Sequence, residues 1–357
     1  MKIAAIKAWL QDLTLLRPYT IASREITGVE NVFLEITLQD GTTGIGAANP
    51  APEVVGETPE QSLANLQSAV VQGFVGRDIR HFRQLIDEAG QAFPHLPGTL
   101  AAVDIALHDA FCKWLGVPVV AFYGQKIKSL PTSITIGIKG VAETLEEAAE
   151  YHERGFRVLK VKTGMDVETD VERLAKLREV YADHFTIRVD ANLGYSLDEL
   201  RIFFKKAAPL NIELVEQPLP VGAENQLLTL PTDQRRLLAA DESLKDAAAA
   251  LQLAGQPLPY GIFNIKLMKC GGIAGALDIA NIAKPAGISL FWGCNDESII
   301  SITAALHAAF ACPHTRYIDL DGSLDLAVDV VSGGFILENG VMRTNGLPGL
   351  GVTRWLH

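Results

Sequence analysis

Apolar and polar positions follow two different rhythms along the chain. Up to about residue 125 they alternate in stretches such as "KIAAIKAWL" and "NVFLEITLQDG", the second closing on "DGTTG", a pattern that predicts strands joined by a tight turn. Helical spacing follows in "TPEQSLANLQSAV", where Thr58 can cap and Pro59 can occupy the first turn. A second helix, "TLAAVDIALHDAFCKWLG", is closed by Gly116 with Pro118 behind it. No strand–helix unit repeats here, so residues 1–125 are expected to form an α+β module.

From about Ser133 the rhythm changes. "SITIGI", "RVLKVKTG", "FTIRVDAN", "IELVEQP", "RRLLAADES", "GIFNIKLMKCGG", "GISLFWG" and "TRYIDLDG" read as strands separated by helical stretches. Eight candidate strands with seven intervening helices favour a closed barrel over an open sheet. The predicted fold class is therefore α/β, a modified TIM barrel of type (β/α)7β over residues 126–321, beneath the α+β capping domain. Residues 322–357, with "DVVSGGFILENG" and "GLPGLG", lose the rhythm and are expected to return to the cap. A doubly wound domain is the competing architecture, but "GLPGLG" precedes no helix and "TGIGAAN" opens no βαβ unit, so the dinucleotide fingerprint is missing.

Composition narrows the function classes. At 357 residues and 48% hydrophobic, the chain has room for a barrel and a small accessory domain. With 31 basic against 42 acidic residues the formal charge is -11, which argues against a nucleic-acid partner. No apolar run approaches the roughly 20 residues that span a bilayer, so no membrane association is expected. The start, "MKIAAIKAWLQDL", carries no cleavage-site pattern, and Cys112, Cys270, Cys294 and Cys312 form no CxxC unit. A cytoplasmic protein with free thiols is the expectation. The eight histidines are scattered and give neither HExxH nor a zinc pattern.

The chemistry sits at the strand ends. Strand two carries Lys160 and Lys162, one residue apart and so on the same side of an extended chain. Strand three ends at Asp190, strand four at Glu216, strand five at Asp241, and strand six reaches Lys266. From Lys162 onward the intervals are 28, 26, 25 and 25 residues, each about one βα unit. Residues at C-terminal strand ends converge over a barrel mouth, so three carboxylates and three lysines are expected on one rim. Three crowded carboxylates need a cation. Oxygen-only donors without histidine favour Mg²⁺, with Mn²⁺ a possible substitute, and leave an octahedral ion about three positions for water and substrate. Lys162 and Lys266, about half a barrel apart, can approach opposite faces of a substrate. A nearby divalent ion and a second lysine are expected to lower their basicity toward neutrality. Lys160 is placed to stabilise negative oxygen. The pattern suits removal of a proton α to a carboxylate through an ene-diolate, with inversion if one lysine abstracts and the other returns the proton.

These motifs, "KVKTG", "RVDAN", "ELVEQP", "AADES" and "NIKLMKCGG", resemble the enolase superfamily in its muconate-lactonising branch, and the chain looks most like a dipeptide epimerase. The resemblance covers nearly the whole chain. It implies Asp190, Glu216 and Asp241 as Mg²⁺ ligands, Lys162 and Lys266 as the acid/base pair, Lys160 as an aid at the substrate carboxylate, and a homo-oligomer. "SLFWGCNDES" at strand seven has no histidine, unlike the mandelate-racemase branch. In "IDLDG" the alternating Asp319 and Asp321 resemble the pair by which dipeptide epimerases hold a free α-ammonium. Thr135 joins the candidate substrate contacts, and Arg24, in "RPYTIASREIT", is similar to an arginine that pairs with a glutamate side chain. Arg17, Glu25 and "GVENVF" are further candidates for the same pocket. The side-chain preference stays open: acidic with Arg24 inward, apolar with Ile21, Ile26 and Phe291 lining the site. Glu297, which can meet Lys266 or a cationic substrate, has no assigned role. The expected function is inversion of the C-terminal residue of an L,L-dipeptide. The alternatives are an o-succinylbenzoate synthase, an N-acyl amino acid racemase, and an inactive structural or binding relative.

Overall fold

Alternation at the N-terminus builds a longer sheet than "KIAAIKAWL" alone marks. The computed structural model describes residues 1–21 and 24–355, and the side chains of residues 18–21, 24–26, 53 and 54 lie outside that description. Strands Ile3–Ile21 and Arg24–Leu38 pair antiparallel, and Thr43–Ala48 adds a third. The first strand runs on because Leu13 and Leu15 keep the inward phase, while Thr14 and Leu16 face out. Helix Pro97–Leu115, buried along most of its length, lies against the third strand. A Cβ on Gly46 would stand 2.0 Å from the Ala102 carbonyl oxygen, so only glycine lets strand and helix approach this closely. "TPEQSLANLQSAV" is not one helix. Pro59–Leu66, with Thr58 accepting from the Gln61 N–H at 3.2 Å, ends before an extended Ser68, and a single turn, Ala69–Gln72, follows.

The repeating half closes as a barrel. Ile134–Ile136, Val158–Lys162, Thr186–Asp190, Ile212–Glu216, Leu238–Ala240, Ile262–Ile265, Ser289–Trp292 and Thr315–Ile318 are strands one to eight, parallel and in sequential order. A parallel bridge between Thr132 and Ile318, with the Ser133 N–H donating to the Ile318 carbonyl at 3.2 Å, joins the last strand to the first. All seven crossovers are helical. The fourth is only two single turns, Glu224–Leu227 and Thr232–Arg235, because Pro218, Pro220, Gly222 and Pro231 interrupt the segment. Among the described residues no helix is long and apolar enough to cross a membrane.

Three connections hold the cap, the C-terminal tail and the barrel mouth together. Asp104, on the Pro97–Leu115 helix, accepts from the N–H groups of Ile273 and Ala274 at 2.7 and 3.1 Å and so caps the Ile273–Ala286 helix of the barrel. Asp109, from the same helix, accepts from Ile45, Leu350 and Lys113, tying cap strand and C-terminal tail together. At the mouth, the first hairpin strand bridges the segment beyond strand eight: Leu16 N–H donates to the Asp325 carbonyl at 2.7 Å and Ala327 N–H to the Thr14 carbonyl at 2.8 Å. Arg17 pairs with Glu150 at 2.7 Å beside them, on the helix after strand one.

Candidate active site

Strand register decides which side chains meet. Lys160 lies beside Arg188, Lys162 beside Asp190, and Asp190 beside Glu216, so the alternate positions of strands two to four point into the barrel together. Lys162 Nζ stands 2.7 Å from Asp190 Oδ2 and 2.7 Å from Asn192 Oδ1. Lys160 Nζ, almost fully buried, is 3.2 Å from Asp190 Oδ2, 2.9 Å from Glu216 Oε2 and 2.9 Å from Asp319 Oδ2. Across the mouth, Lys266 Nζ is 2.7 Å from Asp241 Oδ2.

The strand order sets these groups on two crossed axes. Strand two, with Lys162, and strand six, which leads into Lys266, are four steps apart in an eight-stranded ring, hence on opposite flanks. Between them on one arc lie the acids of strands three, four and five. Strand eight, which leads into Asp319 and Asp321, is four steps from strand four and Glu216. Asp321 Oδ2 accepts from the Thr135 N–H at 2.8 Å, and Asp319 Oδ1 from the Ser133 hydroxyl at 2.7 Å. The acid pair and Thr135 therefore stand together, opposite the acids of strands three to five.

Burial and charge act against each other throughout the cluster. Burial, with Asp190 close by, pushes Glu216 up to about 8 against the pull of Lys160. Burial also raises Asp190, yet Lys162 and Lys160 bring it down to about 2. Asp241 falls well below the usual carboxylate range because Lys266 and Lys269 outweigh burial. Burial and the neighbouring Asp319 push Asp321 up to about 7, so a cation beside it would be favoured. Lys266 stands above its ordinary value: burial pulls it down, but Asp241 prevails. The lowering expected of Lys266 beside a divalent ion is set against this direct pairing with Asp241.

The donor set fits a hard divalent ion. Among the described residues Glu216 Oε2 is buried and accepts no well-directed hydrogen bond, and the Lys160 ammonium stands 2.9 Å from it. Each of the three acids is turned onto a lysine, and among the described residues no three Asp, Glu, His or Cys side chains are arranged as a ready cage. Asp190, Glu216 and Asp241 nevertheless come from adjacent strand ends, are all oxygen donors, and include one acid, Glu216, whose charged form burial disfavours unless a cation offsets it. These are the residues that would hold Mg²⁺.

Several groups escaped the sequence reading. Lys269 is buried and bonded to Asp241, Asn264 donates to Glu216 Oε1 at 2.7 Å, and the Asn192 amide donates to Glu242 at 2.9 Å. Gln217 accepts from the Asp241 N–H at 2.9 Å and fixes the end of strand five. Position was the available signal: Asn264 shares the inward phase of Lys266, and Asn192 directly follows "RVDA". Phe291, expected as a wall of the side-chain pocket, is instead fully buried in the barrel interior with Leu214, Ala239 and Ile262. Its ring lies 5.4 Å from the Arg188 guanidinium and 5.9 Å from Lys160 Nζ. Inward-facing residues low on a barrel strand fill its core, and Phe291 belongs to that layer. Glu297 is buried and accepts from the Asn295 N–H at 2.8 Å. The side chains of Arg24, Ile21, Glu25 and Ile26 lie outside the described residues.

Two family profiles match the chain. One, described as the mandelate racemase / muconate lactonizing enzyme N-terminal domain, matches residues 5–124, and the enolase C-terminal domain-like profile matches residues 143–354. The chain belongs to the mandelate racemase / muconate lactonizing enzyme family. Within that family it is 53% identical to the L-Lys-D/L-Arg epimerase of Desulforapulum autotrophicum, over 99% of this chain and 100% of the relative. Among solved structures it is similar to a dipeptide epimerase from Methylococcus capsulatus complexed with Mg and the dipeptide L-Arg-D-Lys. That match has a TM-score of 0.96, 51% identity, and coverage of 99% of this chain and 100% of the other. It is also similar to an N-succinyl Arg/Lys racemase from Bacillus cereus, with a TM-score of 0.91, 28% identity, and coverage of 99% and 96%.

Proposed function

We propose that this chain is a Mg²⁺-dependent dipeptide epimerase that inverts the α-carbon of the C-terminal residue of L,L-dipeptides and prefers cationic dipeptides. The crossed axes carry the reading. A free dipeptide has a carboxylate at one end and an ammonium at the other. The acids of strands three to five with their ion suit the first, and Asp319 with Asp321 suits the second. A substrate laid along that axis presents its C-terminal α-carbon between Lys162 and Lys266, which approach from opposite flanks.

Mg²⁺, when bound, would draw electron density from the substrate carboxylate and so acidify its α-proton. The remaining work falls to the chain's own groups. One of the two lysines takes the α-proton as a free amine, and the other, as an ammonium, delivers a proton to the opposite face. Lys160, which reaches Asp190 and Glu216 on one side and Asp319 on the other, would offset the charge that builds on the carboxylate oxygens.

The cationic preference is supported by the 53% and 51% identical relatives, named for or solved with Lys- and Arg-containing dipeptides. It is supported also by the acidic character of the mouth. Burial raises Glu297 as well as Asp321, so positive side chains would relieve, and negative ones aggravate, the local field. The likeness to an N-succinyl amino acid racemase gives a second reading, but a succinylated substrate would set a carboxylate against Asp319 and Asp321. The test is a panel with Mg²⁺: L-Lys-L-Arg, L-Arg-L-Lys, L-Ala-L-Glu, L-Leu-L-Tyr and N-succinyl-L-Arg. Values of kcat/KM for the two cationic dipeptides should exceed the others by about 100-fold. A best substrate that is acidic, apolar or succinylated would overturn the assignment.

A further inference from the structure

Each acid of strands three to five has one oxygen held from behind and one turned to the lysines of the mouth. Asp190 Oδ1 accepts from the Asn192 N–H at 3.0 Å, and Glu216 Oε1 from the Asn264 side-chain amide at 2.7 Å. Asp241 Oδ1 is held instead by the ammonium of Lys269. The outer oxygens are Asp190 Oδ2 toward Lys162 and Lys160, Glu216 Oε2 toward Lys160, and Asp241 Oδ2 toward Lys266. Two of the three anchors are neutral amides; the third is a buried cation that no step of the proposed reaction uses.

Lys269 differs from Lys266 in having no proton to spare. Its three N–H groups match three acceptors: Asp241 Oδ1, the Asp241 carbonyl at 2.6 Å and the Asn264 carbonyl at 3.2 Å. Those acceptors belong to the end of strand five and to strand six, so one ammonium ties the two strands together just beneath the mouth. Among the described residues Lys266, three residues earlier, has the single side-chain hydrogen-bond partner Asp241 Oδ2 and keeps donors for chemistry.

We propose that Lys269 is a positioning residue that clamps Asp241 through Oδ1 and the main-chain carbonyl, so that Oδ2 alone is presented to the divalent ion. This rests on the Mg²⁺ reading given above. The sign of its effect separates positioning from simple electrostatics. A cation close to Mg²⁺ repels it, so on charge alone removing Lys269 should tighten metal binding. Positioning predicts the reverse, because a freed Asp241 must be ordered at the expense of binding.

The experiment is calorimetric titration of Mg²⁺, without substrate, into the wild-type chain, Lys269→Met and Lys269→Gln, with thermal unfolding measured alongside. Lys269→Met should raise the Kd for Mg²⁺ about 10-fold or more, and Lys269→Gln, which keeps an amide donor, should recover part of that loss. A Kd equal to or tighter than wild type in Lys269→Met would overturn the proposal, whatever happens to Tm. If Lys269→Met does not fold, Lys269→Gln decides alone: weaker binding than wild type supports the clamp, and equal or tighter binding overturns it. A wild-type chain that takes up no Mg²⁺ removes the metal reading and this role with it, a result distinct from loss in the variants only.

Discussion

Lys266→Ala and Lys162→Ala should each lower kcat/KM for inversion of L-Lys-L-Arg by about 1,000-fold or more, within the range expected for losing a general acid or base. The loss should be one-sided. Each variant keeps the lysine on the other flank, so each should still exchange the α-proton of one diastereomer with solvent, and the two variants should differ in which one. Proton NMR in D₂O on both diastereomers reads this directly. A variant that retains a tenth of wild-type inversion would remove that lysine from its role, whichever flank it occupies. Circular dichroism checks that the fold survives, since Lys266→Ala leaves the buried Asp241 Oδ2 without its present partner.

Removing the metal, or one of its ligands, should be as severe. Chelation is expected to reduce inversion to background, and added Mg²⁺ to restore it, with secondary structure unchanged throughout. The lysines of the mouth already neutralise most of the acids, so the barrel does not depend on the ion for its stability. Glu216→Gln sharpens the point. Glu216 is fully buried and pushed up to about 8, which means its charged form is costly in the folded chain without a divalent ion. A glutamine of the same shape can keep the bond from Asn264 and sheds that cost. The metal-free variant should therefore melt a few degrees higher than wild type, while binding Mg²⁺ about 100-fold more weakly and failing to invert substrate. Stability is read by thermal unfolding and metal affinity by calorimetry. A lower Tm together with unchanged Mg²⁺ affinity would show that Glu216 is structural.

Much of this arrangement was legible from spacing. Lysines one residue apart on a strand must share a side, and acids about 25 residues apart in a βα repeat must return to the same rim. Strand-end register then brings Lys162, Asp190 and Glu216 side by side, as the alternation requires. Asp319 and Asp321 were legible for the same reason, being two apart at the end of the last strand. What escaped depends on tertiary contact. Lys269 sits in a single turn, Leu267–Cys270, after strand six, and nothing in its spacing says that it folds back under Asp241. Phe291 misled because the inward phase alone does not give the depth in the barrel. The split fourth crossover was readable in principle, since three prolines and a glycine lie between Glu216 and Thr232. The sequence does not show, however, that Asp241 faces Lys266 directly and, outweighing burial, holds it above its ordinary value.

Deuterium placement at the first turnovers tests two-sided proton transfer most directly. With Mg²⁺ and L-Lys-L-Arg in D₂O, the wild-type chain should yield the L,D diastereomer with deuterium at the inverted α-carbon from the earliest time points, because the proton delivered comes from the flank opposite the one that removed it. Product that carries its original proton across, or a chain that forms no diastereomer at all, would contradict the placing of Lys162 and Lys266 on either side of the reacting carbon.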